Sequence, residues 1–229
     1  MRPPPHADLY PWSQKPLAFP NPQANPFPRY GAAVNSIASK EGDIYLMGGL
    51  INGETVRGDL WMVEAGTSQL SCYPIATVSE GPGPRVGHAS LLVGNAFIVF
   101  GGDTQQEDTD VLDDTLYLLN TSKYSATSSY PALTSSASRQ WSRASPPGRK
   151  PAGRYGHTLN ILGSKIYIFG GQVEGSFYND LIAFDLNALQ NPTNQWDFLI
   201  DNTNGLPSSS VPPARTNHTT ISYNDMLYL

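Results

Sequence analysis

Histidine and arginine recur together along the chain at a fixed offset. His88, His157 and His218 each follow an arginine by three residues. Imidazole nitrogens are common metal ligands, so three related histidines raise the hypothesis of a metal site. The first copy has Ala32 at the histidine position, and equivalent positions of a repeat are set apart in space. We therefore expect these histidines to pack or to hydrogen-bond, and we predict neither a metal ion nor a cofactor.

The arginines that precede these histidines are candidates for partner binding. They are Arg29, Arg85, Arg154 and Arg215, spaced 56, 69 and 61 residues apart. A guanidinium group binds carboxylates through two parallel hydrogen bonds, which suits the recognition of a partner protein. An arginine repeated in every unit can equally hydrogen-bond the loop carbonyls of a neighbouring unit. The sequence leaves both interpretations open.

An acidic stretch from Thr104 to Asp114 is the second candidate. Its carboxylates belong to Glu107, Asp108, Asp110, Asp113 and Asp114. A calcium loop would need a glycine at its sharp turn and a late bidentate glutamate, and the stretch lacks both. We therefore interpret it as a solvated loop whose Asp108 and Asp110 attract a basic segment of a partner protein.

Short hydrophobic segments that end in a glycine pair place these residues in a repeat. The segments IYLMGG, FIVFGG and IYIFGG end in Gly48 and Gly49, in Gly101 and Gly102, and in Gly170 and Gly171. An arginine-led segment precedes each of them, and an aspartate-led segment follows. A further segment then carries an aromatic residue, which is Tyr73, Trp141 or Trp196.

Four strands per repeat predict the blade of a β-propeller. Blades are expected to start near residues 28, 84, 153 and 214, so residues 28–229 would hold three blades and the start of a fourth. A glycine pair permits a close approach or a positive φ, and the aromatic residue can fill the wedge between blades. We thus predict an all-β, partial propeller and expect the chain to be a piece of a larger one.

Composition agrees with this fold and limits the function. The 229 residues include 21 glycines and 20 prolines but only 14% charged residues, which argues against a helical bundle. The net charge of −5 argues against nucleic-acid binding. Cys72 is the only cysteine, which excludes a disulfide framework, and no apolar run is long enough to insert into a membrane. We expect a cytoplasmic protein.

Two segments fall outside the repeat. Residues 1–27 contain eight prolines, and we predict an extended lead-in that forms no strand. Residues 122–140 are rich in serine and fall between the third and fourth strands of the second blade. We expect this insertion to be a disordered surface loop.

Strand order decides which loops share a face of the propeller. In an antiparallel blade, the connection between strands 2 and 3 emerges on the same side as the link to the next blade. Residues 50–58, 103–113 and 172–179 therefore share one face with the four repeated arginines. We expect those arginines to ring the mouth of the central channel.

The glycine pair and the aromatic residue resemble the kelch type of repeat, and kelch adaptor domains recognise peptide segments through this same face. The stretches GDIYLMGGLINGETVRGDLWMVEAG, GPGPRVGHASLLVGNAFIVFGGDT and GRYGHTLNILGSKIYIFGGQVEGSFYNDLIAFDLNAL closely resemble the kelch region of the fungal Tea/Kel cell-end marker proteins. That resemblance implies an N-terminal propeller followed by coiled coils that oligomerise. It also implies a location at the cortex of cell tips and at microtubule plus ends, with polarity, microtubule plus-end and actin-assembly factors as partners.

The sequence favours a non-catalytic protein–protein interaction module of a cell polarity scaffold. It contains no serine elbow, no zinc-binding H-E-x-x-H helix and no phosphate loop, so we predict that the chain is not an enzyme. Two alternatives stay open, a kelch-type propeller enzyme and a substrate adaptor of a ubiquitin ligase.

Overall fold

The first blade is a four-stranded antiparallel sheet with one parallel strand added at its outer edge. The computed structural model describes residues 14–66, 69–104, 112–122 and 139–229. The strands of this sheet are β1 (Leu17–Ala18), β2 (Ala33–Val34), β3 (Ile44–Ile51), β4 (Thr55–Ala65) and β5 (Leu70–Ile75). Their order across the sheet is β1-β5-β4-β3-β2, which places β2 innermost.

The second and third blades repeat this antiparallel arrangement. The second contains β6 (Ala89–Val93), β7 (Ala96–Phe100), β8 (Leu116–Asn120) and β9 (Trp141–Ala144). The third contains β10 (Thr158–Leu162), β11 (Lys165–Phe169), β14 (Leu181–Asp185) and β15 (Asp197–Ile200), with a hairpin of β12 (Gln172–Val173) and β13 (Ser176–Phe177) between its second and third strands. A 3₁₀ helix, Leu186–Ala188, follows β14.

A hairpin of β16 (Ile221–Tyr223) and β17 (Met226–Tyr228) opens a fourth unit. The innermost strands β2, β6, β10 and β16 are successive neighbours, as expected of blades arranged around one axis. The prediction of an all-β, partial propeller is therefore confirmed. The repeated arginines lie just before the innermost strands, and not within them. Within the described ranges, no helix is long and apolar enough to cross a bilayer.

Aromatic side chains of the outer strands pack between the blades. Trp196, beside β15, has its ring centroid 6.0 Å from that of Phe100 in the second blade and 4.9 Å from that of Phe184 in its own. Trp141 belongs to the apolar cluster that joins the first two blades, and Tyr73 packs against the same cluster. The burial of these large rings supplies much of the apolar contact between neighbouring sheets.

The lead-in lies along the first blade. Leu17 and Ala18 pair in parallel with Leu70 and Ser71 of β5, and Leu17 also packs, with Phe19 and Ala24, against the cluster that contains Trp61. The prediction that the lead-in forms no strand is therefore wrong for Leu17–Ala18. The physical reason is that the outer edge of β5 offers unpaired backbone groups, which a short extended segment satisfies. The serine-rich insertion falls largely outside the described residues, which omit 123–138.

Candidate partner-binding face

Each of the three blades buries one arginine against one aspartate. In the third blade, Arg154 Nη1 lies 2.6 Å from Asp180 Oδ1 and Nη2 lies 2.9 Å from Oδ2. Arg154 Nη1 also donates to the carbonyl of Gly170 at 3.0 Å. The corresponding ion pairs are Arg29–Asp59 at 2.9 Å and Arg85–Asp113 at 3.0 Å. All three guanidinium groups are buried. Each binds the first glycine of the glycine pair and the aspartate of the third segment, and so connects the second segment of its blade to the third.

Hydrogen bonds keep two of these aspartates ionised. Partial burial alone would raise the pKa of Asp59, but the hydrogen bonds from Arg29 and from the indole of Trp61 outweigh it and lower that pKa. Burial likewise opposes ionisation of Asp113, whose pKa is nevertheless lowered by hydrogen bonds from Thr115 and Arg85. A bonded carboxylate favours its charged form, which strengthens the ion pair at neutral pH.

The backbone of the same arginines joins one blade to the previous one. The N–H of Gly102 donates to the carbonyl of Arg154 at 2.8 Å, and Gly49 donates to that of Arg85 at 2.8 Å. Gly101 and Gly102 have φ values of +68° and +96°, and a Cβ on Gly101 would overlap the carbonyl oxygen of Arg154. Only glycine fits both the left-handed backbone and this close approach.

The repeated histidines lie between the glycine pairs of neighbouring blades. A Cβ on Gly101 would come within 2.7 Å of His157 Cε1, and one on Gly171 within 2.8 Å of His157 Cβ. The ring of His157 meets Phe100 edge-on at 5.5 Å. Burial, with the charge of Arg154 adding to it, lowers the pKa of His157 to about 3, so the ring packs in its neutral form.

His88 and His218 follow the same arrangement as His157. Burial and then Arg85 lower the pKa of His88 to about 3, and burial and then Arg215 lower that of His218. Among the described residues, no group of three or more histidine, cysteine, aspartate or glutamate side chains could hold a metal ion. The absence of a metal from the whole chain stays a prediction.

A series of three backbone hydrogen bonds links the inner ends of successive blades at this face. Gly87 donates to the carbonyl of Gly31, Gly156 donates to that of Gly87, and Asn217 donates to that of Gly156, each at 2.8 Å. Two aromatic side chains are exposed on the same side: Tyr30, which bridges to the end of β3, and Phe177, in the β12–β13 hairpin. The face therefore combines a fixed backbone frame with solvent-exposed apolar groups.

The predicted partner-binding residues occupy different environments. Arg29, Arg85 and Arg154 are buried in the ion pairs described above, whereas Arg215 lies in the opening of the fourth unit and donates its Nε–H to Pro213 at 2.9 Å. Asp108 and Asp110 lie outside the described residues. Their roles in binding stay predictions.

Sequence reasoning missed the aspartates that hold the arginines, which are Asp59, Asp113 and Asp180. The available signal was the aspartate-led third segment of each repeat. In the second blade two adjacent aspartates begin that segment, and the partner of Arg85 is Asp113 rather than Asp114.

Comparison with known proteins agrees with this architecture. The family model described as the KLHDC2/KLHL20/DRC7 Kelch-repeats domain matches residues 125–229. The chain is thus a kelch-repeat β-propeller protein. It is 38% identical over 98% of its length to Tip elongation aberrant protein 1 of Schizosaccharomyces pombe, and 39% identical over 90% of its length to Kelch repeat-containing protein 2 of Saccharomyces cerevisiae. It belongs with these Tea/Kel-type kelch proteins, as the sequence motifs predicted.

More distant similarity extends to animal kelch proteins. Human Kelch domain-containing protein 3 is 24% identical over 89% of the chain and is itself covered to 47% of its length. The chain spans 17% of the length of the fission-yeast relative and 22% of the length of the budding-yeast relative.

Proposed function

We propose that the chain is a non-catalytic protein–protein interaction module of a cell polarity scaffold that marks growing cell ends and links microtubule tips to the cortex. The observation that carries this proposal is the 38% identity, over 98% of the chain, to a protein named for aberrant tip elongation. Its partners would be polarity, microtubule plus-end and actin-assembly factors, as the resemblance implies. Its location would be the cytoplasm and the cortex of the cell tip.

The surface we propose for partner binding is the face that carries the connections between the second and third strands. Tyr30 is 68% exposed and Phe177 46% exposed on this face. Exposed aromatic rings on a rigid frame are characteristic of residues that dominate protein–protein binding energy. The series of backbone bonds from Gly31 to Asn217 keeps that frame in place, so little conformational freedom is lost on binding.

The repeated arginines take an indirect part in this proposal. Because Arg29, Arg85 and Arg154 are bonded within their blades, they serve binding by fixing the loops around them. Arg215 contributes at the fourth unit through its backbone carbonyl, which accepts a hydrogen bond from the N–H of Gly171 at 2.9 Å. We retain Asp108 and Asp110, which lie outside the described residues, as proposed partner-binding residues, because their charge would favour partners that carry basic residues.

A chimera tests the proposal directly. The region of Tip elongation aberrant protein 1 that this chain matches is replaced by the chain in fission yeast, and the location of the protein and the straightness of growth are scored. We expect the chimera to restore both. We also expect the Tyr30→Ser/Phe177→Ser variant to fail, because it removes the exposed aromatic groups.

The matched control is Ile37→Ser, which removes an exposed apolar residue from the β2–β3 connection on the opposite face. This variant should behave as the unmodified chimera. Thermal unfolding of the purified variants checks that all of them fold. A folded chimera that never reaches the cell ends, or a Tyr30→Ser/Phe177→Ser variant that works normally, would overturn the proposal.

A further inference from the structure

A cleft of about 570 Å³ opens between the link from the first to the second blade and the outer strand of the second blade. We call it the linker cleft. Its lining includes Glu80 and Pro82 from the link, Asp113 and Tyr117 near the start of β8, and Trp141 and Arg143 from β9. It lies beside the face described above, because the link between blades and the connection from β7 to β8 both border it.

Two cations lie against one aromatic ring in the linker cleft. The guanidinium carbons of Arg85 and Arg143 lie 5.1 Å and 5.5 Å from the centroid of the Tyr117 ring. Asp113 neutralises Arg85 at 3.0 Å and also accepts a hydrogen bond from the Tyr117 hydroxyl at 2.8 Å. The inner charge is therefore balanced, and the second charge, on Arg143, lies at the entrance.

Arg143 is weakly paired. Glu80 lies 3.3 Å from its guanidinium, but the side chain of Arg143 is 52% exposed and that of Glu80 is 88% exposed. Such an exposed pair contributes little stability and is easily exchanged. The stacking on Tyr117 nevertheless limits the freedom of the guanidinium, which lowers the entropic cost of its engaging a ligand.

The remaining walls of the linker cleft suit a backbone segment rather than a free ion. Trp141 forms part of the floor, and Gly81 packs so closely on its indole that a Cβ would lie 2.6 Å from Nε1. Pro82 and the aromatic rings provide apolar surface beside the polar entrance. An extended peptide can place one polar side chain at the entrance and apolar atoms along such a wall.

We propose that the linker cleft binds an extended segment of a partner protein through a single acidic side chain, whose carboxylate replaces Glu80 on Arg143. This inference rests on the proposed function as an interaction module and names the chemistry of one contact. Glu80 and Asp113, both acidic, also line the cleft. A second carboxylate in the segment is therefore disfavoured, and the remainder of the segment is neutral or basic.

A peptide array tests this proposal with the full 229-residue chain as probe. The array carries N-acetylated, C-amidated nonapeptides with randomised flanks and a central glutamate, glutamine, lysine or phosphoserine. We expect retention on the glutamate set to exceed that on the glutamine and lysine sets by about fivefold, as expected for one charge-assisted contact of moderate strength.

Two variants are expected to change the preference for glutamate in opposite directions. Arg143→Gln removes the cation and should abolish the preference for glutamate. Glu80→Gln frees the same cation from its competitor and should strengthen the preference by about twofold. The matched control is Arg149→Gln, which neutralises another exposed arginine, paired with Asp201, and should leave the preference unchanged.

Several outcomes would overturn the inference. They are equal retention of all peptide sets, a preference for lysine, a preference that survives Arg143→Gln, and equal loss in the Arg149→Gln control. Retention of phosphoserine about tenfold above glutamate would replace the carboxylate with a phosphate and equally overturn it. If the peptide array contradicts this inference while the chimera still depends on Tyr30 and Phe177, the proposed function stands. The two experiments therefore distinguish a failure of the inference from a failure of the proposed function.

Discussion

Arg154 and Asp180 form a buried ion pair with two parallel hydrogen bonds, and their side chains are only 1% and 5% exposed. The ion pair joins the arginine that precedes the inner strand of the third blade, β10, to the aspartate that precedes β14. A paired charge in this environment is tolerated because its partner and the Gly170 carbonyl replace the lost water.

Removal of one member of this pair should destabilise the protein strongly. Arg154→Ala leaves the buried Asp180 carboxyl without its partner, and we expect the free energy of unfolding to fall by about 3–5 kcal/mol. Arg149→Ala, which breaks the exposed pair with Asp201, should cost at most about 1 kcal/mol. Urea unfolding followed by tryptophan fluorescence measures both. Equal losses would contradict the assignment of Arg154 to a structural role.

The close approach at the glycine pair can be separated from its backbone conformation. Gly101 and Gly163 have φ values of +68° and +58°, but only Gly101 has a carbonyl oxygen where its Cβ would be. Gly163→Ala should cost about 1 kcal/mol from the left-handed conformation alone, whereas Gly101→Ala should cost about 3 kcal/mol or more. Thermal or urea unfolding of both variants checks this. Similar costs would show that the contact with Arg154 is unimportant.

Stability should fall in mild acid because of the buried histidines. His88 and His157 have folded-state pKa values of about 3, below the ordinary 6.5. Above pH 6.5 neither the folded nor the unfolded chain protonates them. Between pH 6.5 and 3 the unfolded chain takes up protons that the folded chain excludes, so each histidine lowers the free energy of unfolding by about 1.4 kcal/mol per pH unit.

The His157→Phe variant isolates this effect. It keeps an aromatic ring beside Phe100 but cannot titrate, so the slope of stability against pH should decrease by about 1.4 kcal/mol per unit between pH 6 and 4.5, both within the affected window. Asp59 and Asp113 have pKa values below the ordinary 3.8 and act at more acidic pH. An unchanged slope in this window would contradict the prediction.

The contact between the second and third blades should depend on Trp196. Trp196→Ala removes a ring that packs against Phe100 and Phe184, and we expect a loss of about 3–5 kcal/mol. Leu199→Ala, in the adjoining strand β15 but 53% exposed, should change stability by less than about 1 kcal/mol. Denaturant unfolding followed by circular dichroism, which does not depend on the removed indole, compares the two. A small loss for Trp196→Ala would mean that the blades are held mainly by their inner strands.

Features that depend on local sequence were predictable. The glycine pair, the hydrophobic run before it and the aromatic residue of the outer strand each recur within one blade. Their spacing therefore reports the order of the strands. The position of Trp196 between the second and third blades follows from the same pattern, because a large ring on an outer strand has few other places to pack.

Features that depend on long-range contact were not predictable. The burial of Arg85 follows from Asp113, which lies 28 residues further along the chain, and an arginine in a loop is ordinarily a surface residue. The parallel pairing of Leu17 with Leu70 joins segments that share no sequence pattern. The linker cleft combines residues from two blades and from the link between them, so no single stretch of sequence predicts it.

The series of bonds from Gly31 through Gly87 and Gly156 to Asn217 stays constant although the repeats differ in length. Successive repeats differ by up to 13 residues in length, yet each inner link has the same 2.8 Å bond between equivalent positions. Differences in repeat length therefore leave these inner bonds between the blades unaltered. Connections elsewhere in a repeat can therefore differ in length while the contact between one blade and the next is kept.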